Sequence, residues 1–158
     1  MTTLLIRNAT IKLQGRFLPT DVIDASQSLD LYRGMRDMTI SDDSDFLCNG
    51  GAEKAPMSTT SSLACAMWFS TSANPMLLRL RTRGAQAGAD ISSLSVFPKE
   101  CEFLYPPLTY LEPLPARRGA ARKIWVFETW RSWAKSFVMP DTSKCYTVVD
   151  VVPHPSAH

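Results

Sequence analysis

The sequence predicts an α+β fold, on three observations. β-rich runs outnumber helical ones along the 158 residues. No strand–helix–strand alternation is sustained, as a doubly wound parallel sheet would require. The composition, 45% hydrophobic and 20% charged, is that of a chain with a buried core, which excludes disordered, collagen-like and coiled-coil classes. At this length a single domain over residues 1–158 is expected.

The elements follow in chain order. Leu4, Leu5, Ile6, Ile11, Leu13, Phe17 and Leu18 alternate weakly ahead of Pro19 and read as short strand or irregular chain. Leu29 to Gly34 is the first clear strand, with Leu29, Leu31 and Arg33 on one face, Tyr32 on the other, and Gly34 ending it. A polar loop with Asp42, Asp43 and Asp45 leads to the turn pair Gly50-Gly51. Ala55 to Thr60 is β-compatible, and Ser61 or Ser62 can cap a helix carrying Leu63, Ala66 and Met67 and ending near Phe69. Met76 to Arg81 reads as a strand with Leu78 and Leu80 inward and Arg79 and Arg81 outward, followed by a Gly/Ala-rich loop to Asp90. Cys101 to Tyr105 is a strand stopped by Pro106-Pro107, which cannot donate to a ladder, and Leu108 to Leu111 resumes it. Ile124 to Phe127 and Tyr146 to Val152 are two further β-rich runs, while Trp125, Trp130 and Trp133 read as packing residues.

Charge and cysteine usage narrow the function classes. Residues 1–57 carry 6 basic and 8 acidic side chains, residues 58–110 carry 4 and 3, and residues 111–158 carry 7 and 4. That mild gradient lacks the dense basic stripe of a duplex nucleic-acid binder. Arg117, Arg118, Arg122 and Lys123 form the one basic cluster and read as a solvated loop. Cys48, Cys65, Cys101 and Cys145 contain no Cys-x-x-Cys pair, and both histidines, His154 and His158, lie in the tail, so a zinc site has no support and no metal is expected. No basic, then apolar leader and no run of about 18 apolar residues occurs, so a cytoplasmic protein without a membrane span is expected.

Three small constellations could carry chemistry. Arg33 at a strand end beside Gly34 can hold a phosphate while the glycine admits a ligand to the backbone, although such a pair is commonly just a turn. The hydroxyl run Ser58, Thr59, Thr60, Ser61 and Ser62 can orient a carboxylate or a ribose, or simply cap a helix. Glu100 and Glu102, two apart at a strand start, would share a face, and neighbouring carboxylates suit paired acid–base roles; alone, they are an exposed charged segment.

Taken in order, these motifs resemble a known family. Tyr-Arg-Gly at 32–34, Ser-Thr-Thr at 58–60, then Glu-x-Glu at 100–102 followed by Phe-Leu-Tyr-Pro-Pro-Leu-Thr-Tyr are similar to the mono-ADP-ribosyltransferases of the Arg–Ser–Glu, arginine-directed type. The stretch from Gly88 through Ser95 to Glu100 looks most like the protist branch. The resemblance spans Leu31 to Pro113, and more loosely Val148 to Pro153.

The resemblance implies an ADP-ribosyltransferase-like fold, two small, mostly antiparallel sheets around an NAD cleft with few helices, shortened at its N-terminus because 32 residues precede Arg33. It implies that Arg33 supports the NAD site at the phosphates and that the Gly34 backbone meets the nicotinamide amide. Ser58 would orient the catalytic glutamate and contact the nicotinamide ribose, with Thr59 and Thr60 completing the binding motif. Glu102 would be the catalytic glutamate and Glu100 the carboxylate associated with arginine acceptors. NAD is then a substrate, the partner is a protein with an accessible arginine, and the reaction transfers one ADP-ribose with release of nicotinamide. The alternatives are an NAD glycohydrolase and an inactive module that binds NAD or a protein. The Arg/Gly/Ala- and Trp-rich stretch from Pro115 to Lys135 has no counterpart in the family pattern.

Overall fold

A computed structural model describes residues 8–9, 12, 28–41, 44–114, 122–125 and 145–155. The elements run β1 (Ser28–Met35), α1 (Asp45–Asn49), β2 (Gly51–Glu53), β3 (Met57–Thr60), α2 (Leu63–Phe69), β4 (Met76–Arg83), β5 (Ala89–Asp90), β6 (Glu102–Tyr105), β7 (Thr109–Pro113), β8 (Arg122–Trp125) and β9 (Cys145–His154). Single 3₁₀ turns occupy Gly84–Gln86 and Pro98–Glu100. The α+β expectation, strand-rich with few helices, is what the molecule adopts.

The strands form one mixed sheet in the order β2-β7-β9-β4-β1-β3-β6-β5, with β8 also on β9. The expected two small sheets correspond to the parts of this sheet on either side of a single weak seam. β1 and β4 pair over eight residues, Ser28↔Arg83 to Met35↔Met76, whereas β1 and β3 share only Tyr32↔Thr60. Beyond that pair, Arg33–Met35 and Met57–Thr59 diverge, and the functional cleft opens between them. Among the described residues all pairings are antiparallel except β4 with β9.

Alternation sorts the side chains. Leu31, Leu78, Leu80, Val149 and Val151 point to one face and join Met57, Met76, Tyr105 and Leu111 in the larger core. Leu77 and Val148 point to the other face, where Ala66 and Met67 of α2 cover them with Tyr146. The Arg79 side chain shares that second face and reaches across the parallel pair to Asp150, Nε to Oδ1 at 2.5 Å and Nη2 to Oδ2 at 2.6 Å. This two-pronged bond fixes the β4–β9 register, since a one-residue slip would turn one partner to the opposite face.

Several expectations are corrected. Gly34 does not end β1; it pairs with Leu77, and the ladder runs on to Met35. A Cβ at position 34 would land on the Ala66 carbonyl oxygen and 3.0 Å from the Ser70 amide nitrogen, so the glycine is there to let α2 lie against the strand. The polar loop holds a five-residue helix, Asp45–Asn49, capped by Ser44, whose hydroxyl accepts from the Leu47 amide. The Gly/Ala-rich loop contributes β5, paired to β6 as Ala89↔Leu104 and Asp90↔Phe103. Arg122 and Lys123 are in strand rather than loop, opposite Val148 and Thr147. Asn8, Ala9 and Lys12 are helical where strand or irregular chain was expected, the alternation there being too weak to specify a period. Leu4, Leu5, Ile6, Ile11, Leu13, Phe17, Leu18, Asp42, Asp43, Arg117, Arg118, Val126, Phe127, Trp130, Trp133 and His158 lie outside the described residues.

Candidate active site

The seam brings all three sequence motifs to one cleft of about 610 Å³. β1 supplies Arg33 and Gly34, β3 supplies Ser58, Thr59 and Thr60, and the turn leading into β6 supplies Glu100, with Glu102 at the strand's first position. A volume of this size is ordinary for a small-molecule site, commonly about 300–1,000 Å³.

The hydroxyl run is not redundant, because Ser58, Thr59 and Thr60 each have their own acceptor. On β3, Ser58 faces Leu104 and Thr60 faces Glu102 of β6, so Ser58 and Glu102 are diagonal neighbours on one face. The Ser58 hydroxyl donates to Glu102 Oε1 at 2.5 Å, a short charge-assisted bond that fixes the carboxylate's direction. Thr59 Oγ1 donates to the Phe103 carbonyl at 2.9 Å, tying β3 to β6. Thr60 Oγ1 donates to the Glu100 carbonyl at 2.5 Å and accepts from the Ser62 amide at 2.9 Å. Ser62 caps α2 by accepting from the Cys65 amide at 3.3 Å, which settles which of the two serines is the cap.

Glu100 and Glu102 both line the cleft, but not by strand alternation. Glu100 closes the 3₁₀ turn Pro98–Glu100, and Cys101 takes a left-handed conformation at φ 47° before β6 begins at Glu102. The Cys101 carbonyl accepts from the Ser61 amide at 3.2 Å, and the Thr60 bond holds the Glu100 carbonyl beside it. The two carboxylates are therefore placed by a kinked, doubly tethered turn. Leaving the α or β regions is costly for a residue with a Cβ, so these tethers hold the turn in place.

Arg33 stands between two cavities. It lines the cleft, and it also lines an apolar hollow of about 620 Å³ beside Met35, Ile40, Phe46 and Leu78. Its Nη2 lies 3.6 Å from Glu53 Oε2, a loose ion pair in which both side chains are about a third exposed (30% and 32%). Such a pair contributes little stability and can be exchanged for a ligand anion.

Sequence reasoning missed six lining residues: Tyr32, Met35, Arg36, Cys65, Ala66 and Phe69. Arg36 follows the strand and donates from Nε to the Phe69 carbonyl at 2.7 Å, at the end of α2. Phe69 stacks edge-on against Trp68, ring centroids 5.1 Å apart. Cys65 is buried, and burial first, then the charge of Glu100, pushes its thiol up to about 11. The Arg36 and Phe69 pairing has no local signal, since the two meet only because α2 folds back onto β1. The helical position of Cys65 was legible, but its side of the helix was not.

Among the described residues no group of three His, Cys, Asp or Glu could hold a metal ion, and no helix is long and apolar enough to cross a membrane. All four cysteines are free thiols.

No protein-family model matches the chain, and no curated protein matches it in sequence. Solved structures do resemble it. Exoenzyme S from Pseudomonas aeruginosa, in complex with human 14-3-3 protein beta and bound to carba-NAD, is 16% identical over 79% of this chain and 48% of its own, with a TM-score of 0.46. The ADP-ribosyltransferase HopU1 of Pseudomonas syringae pv. tomato DC3000 is 22% identical over 79% of this chain and 46% of its own, with a TM-score of 0.49. The chain thus spans about half the length of each.

Chemically, the cleft is polarised. Two guanidinium groups, Arg33 and Arg36, lie along β1 and its exit, and two carboxylates, Glu100 and Glu102, lie across the seam. That arrangement suits a ligand with an anionic segment and an atom that becomes positive during reaction.

Proposed function

We propose that the cleft binds NAD and transfers its ADP-ribose to an acceptor, with a protein arginine as the preferred one. The observation that carries this reading is the Ser58–Glu102 hydrogen bond at 2.5 Å, in a cleft that Arg33 also lines. It joins residues 44 apart in sequence, two of the three members of the motif series similar to mono-ADP-ribosyltransferases of the Arg–Ser–Glu type.

Each residue then has a physical task. The nicotinamide–ribose bond breaks with its electron pair passing to the ring nitrogen, which neutralises the pyridinium and leaves positive charge on the ribose, as in glycoside cleavage. Glu102, aimed by Ser58, stabilises that charge and holds a ribose hydroxyl. Preorganised groups of this kind commonly contribute about 3–4 kcal/mol to the barrier. Arg33 contacts the phosphates, with Thr59 and Thr60 holding the motif, and the Gly34 backbone meets the carboxamide, a reading supported by the lining of the cleft by all four. Phe69 offers its ring to the planar nicotinamide. The acceptor guanidinium binds Glu100 and gives up a proton to it on attack, a needed step because a free guanidinium stays protonated far above neutral pH.

The test is nicotinamide release from NAD by the purified chain, with and without agmatine. Glu102→Gln is expected to lower release by about 10²- to 10³-fold with the fold intact. Glu100→Gln is expected to keep hydrolysis and lose transfer to agmatine. Release that ignores agmatine would make water the acceptor and the protein a glycohydrolase. Release unaffected by either Glu102→Gln or Ser58→Ala would sink the assignment.

A further inference from the structure

We infer that Arg36 is a second anion-binding cation of the cleft, beside Arg33, and fixes the diphosphate of a dinucleotide. The inference rests on the NAD reading above and adds a binding residue to it.

Three observations converge on Arg36. It lines the same cleft as Ser58 and Glu102. Its Nε is committed to the Phe69 carbonyl at 2.7 Å, which fixes the plane of the guanidinium and leaves both Nη groups as donors. Among the described residues no carboxylate pairs with it, whereas Arg33 has Glu53, Arg79 has Asp150 and Arg81 has Asp30.

The backbone is held as well. Asp37 takes a left-handed conformation at φ 49°, its amide donates to Ser72 Oγ at 3.0 Å, and its Oδ1 accepts from the Asn74 amide at 3.4 Å. The neighbouring carboxylate is thereby turned toward the α2–β4 connection rather than toward Arg36. A guanidinium with one donor anchored loses less freedom when its other donors bind, and its planar fork matches the oxygens of a phosphate. Arg36 also ties the anion site to the main chain of Phe69, a residue that lines the same cleft. The distance between diphosphate and glycosidic bond in the ligand is fixed covalently. Holding the diphosphate at Arg36 thus sets where the reacting carbon falls relative to Glu102.

The experiment is calorimetric titration of the full chain and of Arg36→Met and Arg36→Lys with four probes: NAD, ADP-ribose, inorganic pyrophosphate and nicotinamide riboside. Arg36→Met is expected to weaken the first three by about tenfold or more, the loss of one charge-assisted contact, and to leave nicotinamide riboside unchanged. It should also flatten the salt dependence of NAD affinity, and Arg36→Lys should restore part of both. In turnover, the KM for NAD should rise, and kcat should fall as well because the reacting carbon is less well placed against Glu102. A folded Arg36→Met protein with unchanged affinity would overturn the inference. So would parallel loss of nicotinamide riboside and NAD, which would mean that Arg36 acts only by supporting Phe69. Failure of the wild-type chain to bind any phosphate-bearing probe would refute both this inference and the NAD reading. Arg36-dependent binding of pyrophosphate without binding of NAD would uphold the anion site and refute the NAD reading alone.

Discussion

Cys65 shows how one buried side chain reports on the cleft around it. Its thiol is withdrawn from water beneath the hydroxyl run and lies within the field of Glu100, both of which disfavour the thiolate. With the thiol pushed up to about 11 from an ordinary 9.0, the reactive thiolate at pH 8 is about a hundredfold scarcer than for an ordinary cysteine. Iodoacetamide at pH 8 should therefore label exposed Cys48 well before Cys65, as peptide mass spectrometry would read. Early labelling of Cys65 would mean that the site is open. The linkage has a definite sign. Below pH 9 both the folded and unfolded thiols are protonated, and the native state keeps its full stability. As pH climbs from 9 to about 11 the unfolded thiol ionises first, so stability falls across that window. Burial raises the phenols of Tyr105 and Tyr32 too, which extends the same trend to higher pH. The motif residues themselves were legible at this scale: Arg33, Ser58, Glu100 and Glu102 all line one cleft. What was not legible is how Glu100 arrives there, because a left-handed Cys101 leaves no compositional trace when the residue is not glycine.

Among the elements, α2 and β1 depend most closely on each other. The helix has seven residues, too few to be stable alone, so it must gain its order from packing against Leu77 and Val148. That contact is possible only because position 34 lacks a Cβ. Gly34→Ala should cost about 1–3 kcal/mol, as overpacking does, and should also displace the Phe69 end of the helix. Urea unfolding gives the first quantity and the KM for NAD the second; an unchanged midpoint would show that the helix can retreat without loss. Elements with an alternating pattern or a cap were legible in the sequence: β1, β3, α2, β4, β6 and β9 lie within about two residues of where alternation and capping put them. The misses are short. Helix α1 has five residues, little more than one turn, β2 has three and β5 two, too few for a repeated pattern to show, and β2 and β5 form as strands because β7 and β6 pair with them.

For the whole molecule, stability should be graded across the sheet. β4 is flanked by β1 and β9, carries Leu78 and Leu80 into the larger core, and is locked by the Arg79–Asp150 bond, whose acceptor lies 71 residues downstream. β2 and β5 are short strands at the sheet's ends. Hydrogen exchange should accordingly be slowest at the amides of Leu78 to Leu80 and fastest in Gly51–Glu53 and Ala89–Asp90. Comparable protection at β5 and β4 would contradict the sheet order. The seam at Tyr32↔Thr60 belongs to the same gradient, since a single registered pair joins the β1 side of the cleft to the β3–β6 side. Taken by itself, the sequence determined the strand-rich α+β class and the period and faces of the longer elements, because alternation and capping are encoded within a few neighbouring residues, and it held Arg33, Ser58 and Glu102 in a motif order that the fold gathers into one cleft. Only the tertiary structure decided that β1 and β3 part after one pair, that Cys101 turns Glu100 into the opening, and that Arg36 is held by Phe69. Those outcomes depend on which distant segments meet, and the loops and packing that bring them together leave no periodic mark on the chain.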